Sequence, residues 1–189
     1  MHNKKTCLDG VLILEPKIFQ DDRGFFMESY SSKTFLKNNL HFNFVQDNHS
    51  FSKNKYTFRG LHYQQNPKAQ TTLIRVVSGG ILDIVVDIRK NSPTYGKNIM
   101  IQLSSSNFQQ LLIPKGFAHG FLTLTDNVNI LYKMDEYYEP KYDKILNVKD
   151  SELNIDLGVD LDKVTMAIKD KEAPLFIDIE NNFVYGENC

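Results

Sequence analysis

Leu82, Ile84, Val86 and Ile88 alternate with Asp83, Val85 and Asp87, a period of two with one apolar face and one face carrying two carboxylates. Extended strands send successive side chains to opposite faces, so this run constrains the local structure more tightly than any other segment. Ser78-Gly79-Gly80 precedes it and reads as a hairpin turn. On the far side of that turn, Leu73-Ile74-Arg75-Val76-Val77 reads as another strand.

Short apolar runs between turn residues govern most of the chain. Val11 to Leu14 leads into Glu15-Pro16, and Asp21-Asp22-Arg23-Gly24 turns before Phe25 and Phe26. Ile99 to Leu103, Gln110 to Ile113, Phe117 to Leu124 and Asn129 to Met134 read as further strands, with turns at Asn91 to Gly96 and Pro114-Lys115-Gly116. Ser31 to Leu40 is the clearest early helix, with Ser31 or Ser32 as N-cap and Phe35 and Leu36 on one face. A second helix is expected near Val159 to Met166. Many short strands without βαβ spacing predict an all-β sandwich or barrel. No repeat, low-complexity tract or linker divides the chain, so residues 1–189 are expected to form one domain.

A formal charge of −1 gives no electrostatic ground for nucleic-acid binding. The longest apolar candidate, Ile81 to Ile88, is broken by Asp83 and Asp87, so no membrane span is expected. Cys7 and Cys189 stand at opposite ends without a CxxC pair, as suits a reducing compartment. With no leader-like N-terminus, the expectation is a cytoplasmic protein.

Arg59-Gly60-Leu61-His62-Tyr63-Gln64 puts an arginine, a histidine and a tyrosine within five positions. Strict alternation would place Gly60 and His62 on one face and Arg59, Leu61 and Tyr63 on the other. Imidazole is the side chain most readily poised for proton transfer near neutral pH.

Five more segments accompany that hexapeptide, in order: Asp22-Arg23-Gly24-Phe25-Phe26-Met27-Glu28, Gln46-Asp47-Asn48, Ser92-Pro93-Thr94-Tyr95-Gly96-Lys97, Ile113 to Phe121, and Tyr132 to Tyr138. In order and spacing the set resembles the dTDP-4-dehydrorhamnose 3,5-epimerase family, from about Gly10 to Leu175. The resemblance implies a cupin-type jelly-roll barrel with short flanking helices, a homodimer, an active site inside the barrel, and no metal or other cofactor. It also implies a nucleotide-diphosphate-linked 4-keto-6-deoxy sugar as substrate, used in surface-polysaccharide synthesis.

A carbonyl at C4 acidifies the hydrogens at C3 and C5, because the carbanion delocalises onto oxygen as an enolate. Inversion then needs a base on one face of the sugar and a proton donor on the other. By resemblance, His62 is the base, Asp170 orients it, and Tyr132 is the donor, with Tyr138 left as an alternative donor. His119 would serve the enolate oxygen, and Asp83 would orient His119. Arg23, Glu28, Gln46, Asp47, Asn48, Arg59, Asp143 and Lys169 match positions that hold the nucleotide, diphosphate and sugar. Two of the four arginines fall inside these motifs, where a fork for phosphate is needed.

One position departs from the family. Gln70-Thr71-Thr72-Leu73 stands where the family carries a Gln-Gly-Lys-Leu type of run, so Thr72 replaces a lysine. A neutral hydroxyl there points to a different sugar, such as a GDP-linked heptose, or to inversion at one carbon only. Two other classes are weighed beside the epimerase. A metal-dependent cupin would need paired histidines, which Leu61-His62-Tyr63-Gln64 lacks. A catalytically silent sugar-nucleotide binder would not need both His62 and Tyr132.

Overall fold

The computed structural model describes residues 1–186, so Cys189 lies outside the described residues. In chain order the elements are β1 (His2–Lys5), β2 (Leu12–Glu15), β3 (Ile18–Asp21), β4 (Gly24–Met27), helix α1 (Ser32–Lys37), β5 (Gln46–Ser52), β6 (Phe58–Gln64) and β7 (Thr72–Ser78). They continue with β8 (Gly80–Asp87), β9 (Asn98–Ser104), β10 (Gln110–Ile113), β11 (Phe117–Thr123), β12 (Val128–Met134), β13 (Asp143–Ile145) and helix α2 (Ile168–Lys171). Two antiparallel sheets form the barrel, one in the order β1-β2-β10-β7-β12-β5 and the other β13-β6-β11-β8-β9. β3 and β4 stand apart as a two-stranded hairpin turning through Asp22 and Arg23. This is an all-β jelly roll of the cupin type with short helices at its flanks.

Ser78-Gly79-Gly80 is not a hairpin turn. β7 pairs with β10 and β12, whereas β8 pairs with β11 and β9, so the segment carries the chain from one sheet to the other. Gly79 is needed there because its φ is +78° and a Cβ would lie 2.5 Å from Thr125 Oγ1.

β8 shows how the alternation is used. Ile84, Val86 and Ile88 face outward and pack under the C-terminal segment against Leu146, Val148, Leu153 and Phe183. Ile81 and Val85 face the barrel interior with Ile74, Phe117 and Ile130, so the carboxylate-bearing face is the inner one. Each such fully buried aliphatic side chain contributes about 1.5–3 kcal/mol. Asp87 is fully buried and tied down by Arg89 Nε and Nη2 at 2.9 and 2.8 Å, and by the Ser92 and Thr94 hydroxyls at 2.6 Å each. The Ser92-Pro93-Thr94 motif is thus a structural clasp on Asp87.

The helix expectations need correction at their ends. Ser31 does cap α1, accepting from Thr34 N at 3.3 Å, but the helix stops at Lys37 because Asn39 turns into the left-handed region with φ +59°. Phe35 is buried, whereas Leu36 is 54% exposed. Residues 159–166 are not an α-helix. Only Leu161–Lys163 makes a 3-10 turn, after which Thr165 bridges Thr57, exchanging backbone bonds with Tyr56 and Phe58. Val164 and Met166 are buried on either side of it, so burial favoured the extended form. Among the described residues, no helix is long and apolar enough to cross a membrane.

Candidate active site

The space between the sheets opens as a cavity of about 780 Å³. Its walls come from β5, β6, β7, β11 and β12, and its rim from α2 and the Tyr138 and Asp143 region.

β6 does not alternate strictly. His62 sits opposite His119 and Arg59 opposite Phe121, so three steps on β6 match two on β11. The extra residue makes a bulge at Gly60-Leu61 that reverses the facing of everything beyond it. Arg59 and His62 consequently both line the cavity, while Leu61 is sealed in the outer core. Backbone proximity permits the bulge only with glycine, since a Cβ on Gly60 would lie 2.5 Å from Gly120 Cα.

His62 Nε2 lies 2.7 Å from Asp170 Oδ1, a contact spanning 108 residues of sequence. Asp170 is almost fully buried, at 3% exposure, on the four-residue α2, and its Oδ2 receives the Gly60 N–H at 3.5 Å. An ionised carboxylate only accepts, so the Nε2 proton points at Asp170 and Nδ1 keeps the lone pair a base requires. His119 forms a second pair, with Nε2 2.9 Å from both oxygens of Asp83. Burial pushes the Asp83 carboxyl above its ordinary range, while the charge and hydrogen bond of His119 pull it back. Because His62 and His119 face each other across β6 and β11, the two histidine–carboxylate pairs stand side by side.

Tyr132 enters from the other sheet, on β12. Burial raises its phenol above the ordinary value, and the Arg59 charge pulls the other way. The cavity therefore holds a phenol that keeps its proton on one wall and the His62–Asp170 pair on the wall facing it. Tyr138 is at the rim instead, 53% exposed, with its hydroxyl 3.3 Å from Asp143 Oδ2.

Of the remaining residues singled out from sequence, Gln46, Asn48, Arg59, Thr72, His119, Asp143 and Lys169 line the cavity. Lys169 Nζ is 3.6 Å from Asp143 Oδ2. Thr72 is 8% exposed and its hydroxyl meets only the Met134 sulfur, at 3.5 Å. Asp83 stands behind His119 and does not itself line the cavity. Asp47 points away, 74% exposed and paired with Lys133 at 2.8 Å. Arg23 and Glu28 are also outside: Arg23 is 90% exposed on the hairpin beside Asp21, and Glu28 accepts from Thr34 Oγ1.

Ser50 and Gln70 also line the cavity and escaped the sequence reading. Period two along β5 was the signal for Ser50, since Gln46, Asn48 and Ser50 share a face that excludes Asp47. Among the described residues, no group of three or more His, Cys, Asp or Glu side chains is arranged to hold a metal ion.

A barrel that sets a carboxylate-bound imidazole against a protonated phenol has the fold and the side chains of an isomerase of the cupin class. The chain belongs to the dTDP-4-dehydrorhamnose 3,5-epimerase family, whose profile matches residues 5–178. It is 44% identical to the Shigella flexneri dTDP-4-dehydrorhamnose 3,5-epimerase over 177 residues, covering 93% of this chain and 96% of that protein. Among solved structures, the dTDP-6-deoxy-D-glucose-3,5-epimerase of Legionella pneumophila in complex with dTDP-4-keto-L-rhamnose superposes with a TM-score of 0.90 at 39% identity, covering 95% of this chain and 94% of that one. A 3'-monoepimerase from Streptomyces bikiniensis in complex with dTDP-quinovose reaches a TM-score of 0.83 at 28% identity, covering 91% and 86%.

Proposed function

We propose that this chain inverts C3 and C5 of a dTDP-linked 4-keto-6-deoxy hexose through an enolate, without a cofactor, in the cytoplasmic supply of a surface-polysaccharide sugar. One observation carries the reading: the His62–Asp170 pair and Tyr132 lie on facing walls of one cavity. His62 Nδ1 takes the proton next to the carbonyl, and the negative charge moves to the C4 oxygen. Tyr132 then delivers a proton to the opposite face of the carbanion. His119, held by Asp83, hydrogen-bonds the enolate oxygen. A dTDP sugar is preferred over a GDP-linked heptose because the relatives described above are named for dTDP sugars.

The diphosphate supports a homodimer. Arg59 is the one cation of the cavity lining without a carboxylate partner among the described residues, bonding instead to Ser52 Oγ at 3.3 Å and Phe51 O at 3.2 Å. A diphosphate carries more charge than one guanidinium offsets. Arg23 and Glu28 act from the β3–β4 hairpin of a second copy, where Phe19, Phe25 and Phe26 are 52, 53 and 70% exposed. In this arrangement Gln46 and Asn48 contact the sugar nucleotide from inside, Asp47 stays on the outer face with Lys133, and Lys169 with Asp143 closes the mouth.

Incubation with dTDP-4-keto-6-deoxyglucose in D2O, with deuterons counted by mass spectrometry, tests the reading. Two deuterons with inversion at both carbons are expected. No exchange sinks the epimerase assignment and leaves a silent binder. The neutral Thr72 favours a second reading, inversion at one carbon, and a single deuteron would establish it.

A further inference from the structure

We propose that Asn147 is a positioning residue for the base: it clasps the chain at the end of α2 and thereby sets the Asp170 carboxylate against His62. The inference rests on the reading of His62 as the base.

Asp170 stands on an element that cannot hold itself in place. α2 is four residues long, and its N-cap Ala167 contributes no side-chain hydrogen bond. Backbone bonds from Asp170, Lys171 and Glu172 close its single turn. One turn is unstable alone, because nucleation fixes several dihedral angles for each bond gained. The last carbonyls of a helix also need partners from outside it. Yet Asp170 is almost fully buried and meets His62 at 2.7 Å, so its place is fixed by what flanks the helix.

Two anchors flank it. Ahead of Asp170, Thr165 bonds the backbone beside β6, with Phe58 N donating to Thr165 O and Thr165 N to Tyr56 O, both at 2.9 Å. Beyond Asp170, Asn147 takes both of the carbonyls that follow α2. Its backbone N donates to Pro174 O at 2.9 Å, and its Nδ2 donates to Ala173 O at 3.0 Å. Lys149 N donates to Asn147 Oδ1 at 2.9 Å, so both ends of the amide are engaged and its orientation is fixed. Among the described residues, this amide makes the one side-chain hydrogen bond to the backbone of residues 165–175.

The strand that carries the base also places the clasp. β13 runs antiparallel to β6 with Ile145 opposite His62. Leu146 continues the ladder, exchanging backbone bonds with Leu61 at 2.9 and 3.3 Å. Both leucines are fully buried, so this rung is sealed in the outer core. Asn147 follows at the end nearest Gly60, whose N–H donates to Asp170 Oδ2. Imidazole and carboxylate are therefore both referenced to β6, one directly and the other through Asn147. A misplacement of about 1 Å can cost roughly 10²-fold in rate, so a loosened clasp should be felt at the base.

N147A removes the clasp on Ala173 and leaves the backbone bonds available. N147D, which keeps the acceptor for Lys149 N and loses only the donor, is measured beside it, with circular dichroism to confirm folding. The first readout is the downfield imidazole N–H proton resonance of His62 by NMR, assigned by its loss in H62A. The second is deuterium exchange into dTDP-4-keto-6-deoxyglucose, in wild type, both variants, D170N and each variant combined with D170N. The resonance is expected to shift or broaden in both Asn147 variants, with kcat for exchange down about tenfold or more and KM within about twofold. In the D170N background the same substitutions should cost less than about twofold, because the carboxylate they position is already neutral.

An unchanged His62 resonance overturns the inference, and so does an equal loss of rate with and without the Asp170 carboxylate. A raised KM at constant kcat would place Asn147 with substrate binding through Lys169, and would overturn it as well. Wild type that exchanges no deuterium, while the Asn147 variants still move the His62 resonance, would sink the base reading and support the positioning contact.

Discussion

Gly60 and Gly120 lie face to face across β6 and β11, so close that a Cβ on Gly120 would stand 2.7 Å from the Arg59 carbonyl oxygen and 3.0 Å from Gly60 Cα. This contact lets the two strands close around the bulge that turns Arg59 and His62 to the same cavity. Gly120→Ala must push the strands apart. A fall in activity of at least tenfold is expected, with a lowered melting temperature, since backbone cannot yield as a flexible side chain can. Turnover and thermal melts that match wild type would mean that the bulge does not depend on this approach.

His62→Ala should abolish exchange of the substrate hydrogens with solvent while leaving the fold intact, because the lost side chain borders a cavity and is itself about one-third exposed. Asp170→Asn keeps the shape but removes the acceptor that fixes the imidazole tautomer. It should slow exchange by roughly 10²–10⁴-fold, the range of general acid–base contributions. Exchange measured by mass spectrometry at wild-type rate in either variant would remove that residue from the base.

Tyr132→Phe should still exchange the substrate hydrogen but fail to complete inversion, since the base is untouched and only the opposite-face donor is gone. The pH profile adds a second check. The donor must be protonated, and burial holds the Tyr132 phenol above its ordinary value of about 10. Inversion per exchange event should therefore stay level through pH 10 and decline only above it. A decline centred below the ordinary phenol range, read by NMR of the product mixture, would assign the donor role to another group.

Thr72→Lys places an ammonium where the hydroxyl now meets only the Met134 sulfur. If this position faces the C4 oxygen, exchange should accelerate, by up to roughly 10²-fold for a well-aimed charged donor. Should wild type incorporate one deuteron, the variant is expected to incorporate a second. An unchanged rate and count would separate position 72 from the enolate.

Much of this was legible in the chain. Gln110–Ile113 is a strand to the residue, and the Asp22-Arg23 turn joins β3 to β4 as its residues require. Residues that act across long separations were not legible from pattern. Asp170 meets His62 across 108 positions on a four-residue helix, and only the resemblance pointed to it. Gly79 misled because a glycine turn between two strand patterns looks the same whether the strands pair or part. Arg59 misled because alternation fails at a bulge, and a bulge is decided by the facing strand. Asp47 and Asn48 are adjacent in sequence, yet the strand sends one outward and the other into the cavity.

The passage of the chain through Ser78-Gly79-Gly80, from one sheet to the other, has a stereochemical consequence. His62 belongs to the sheet of β6, and the Tyr132 phenol belongs to the sheet of β12. Packed sheets stand about 10 Å apart, which leaves room for a pyranose ring held flat between them, one face to each sheet. With the roles proposed for His62 and Tyr132, handedness at the reacting carbon is set by which sheet owns which residue. A variant of this barrel that carried its phenol on β11 would present both proton-handling groups to the same side of the ring, and could only return each hydrogen with retention.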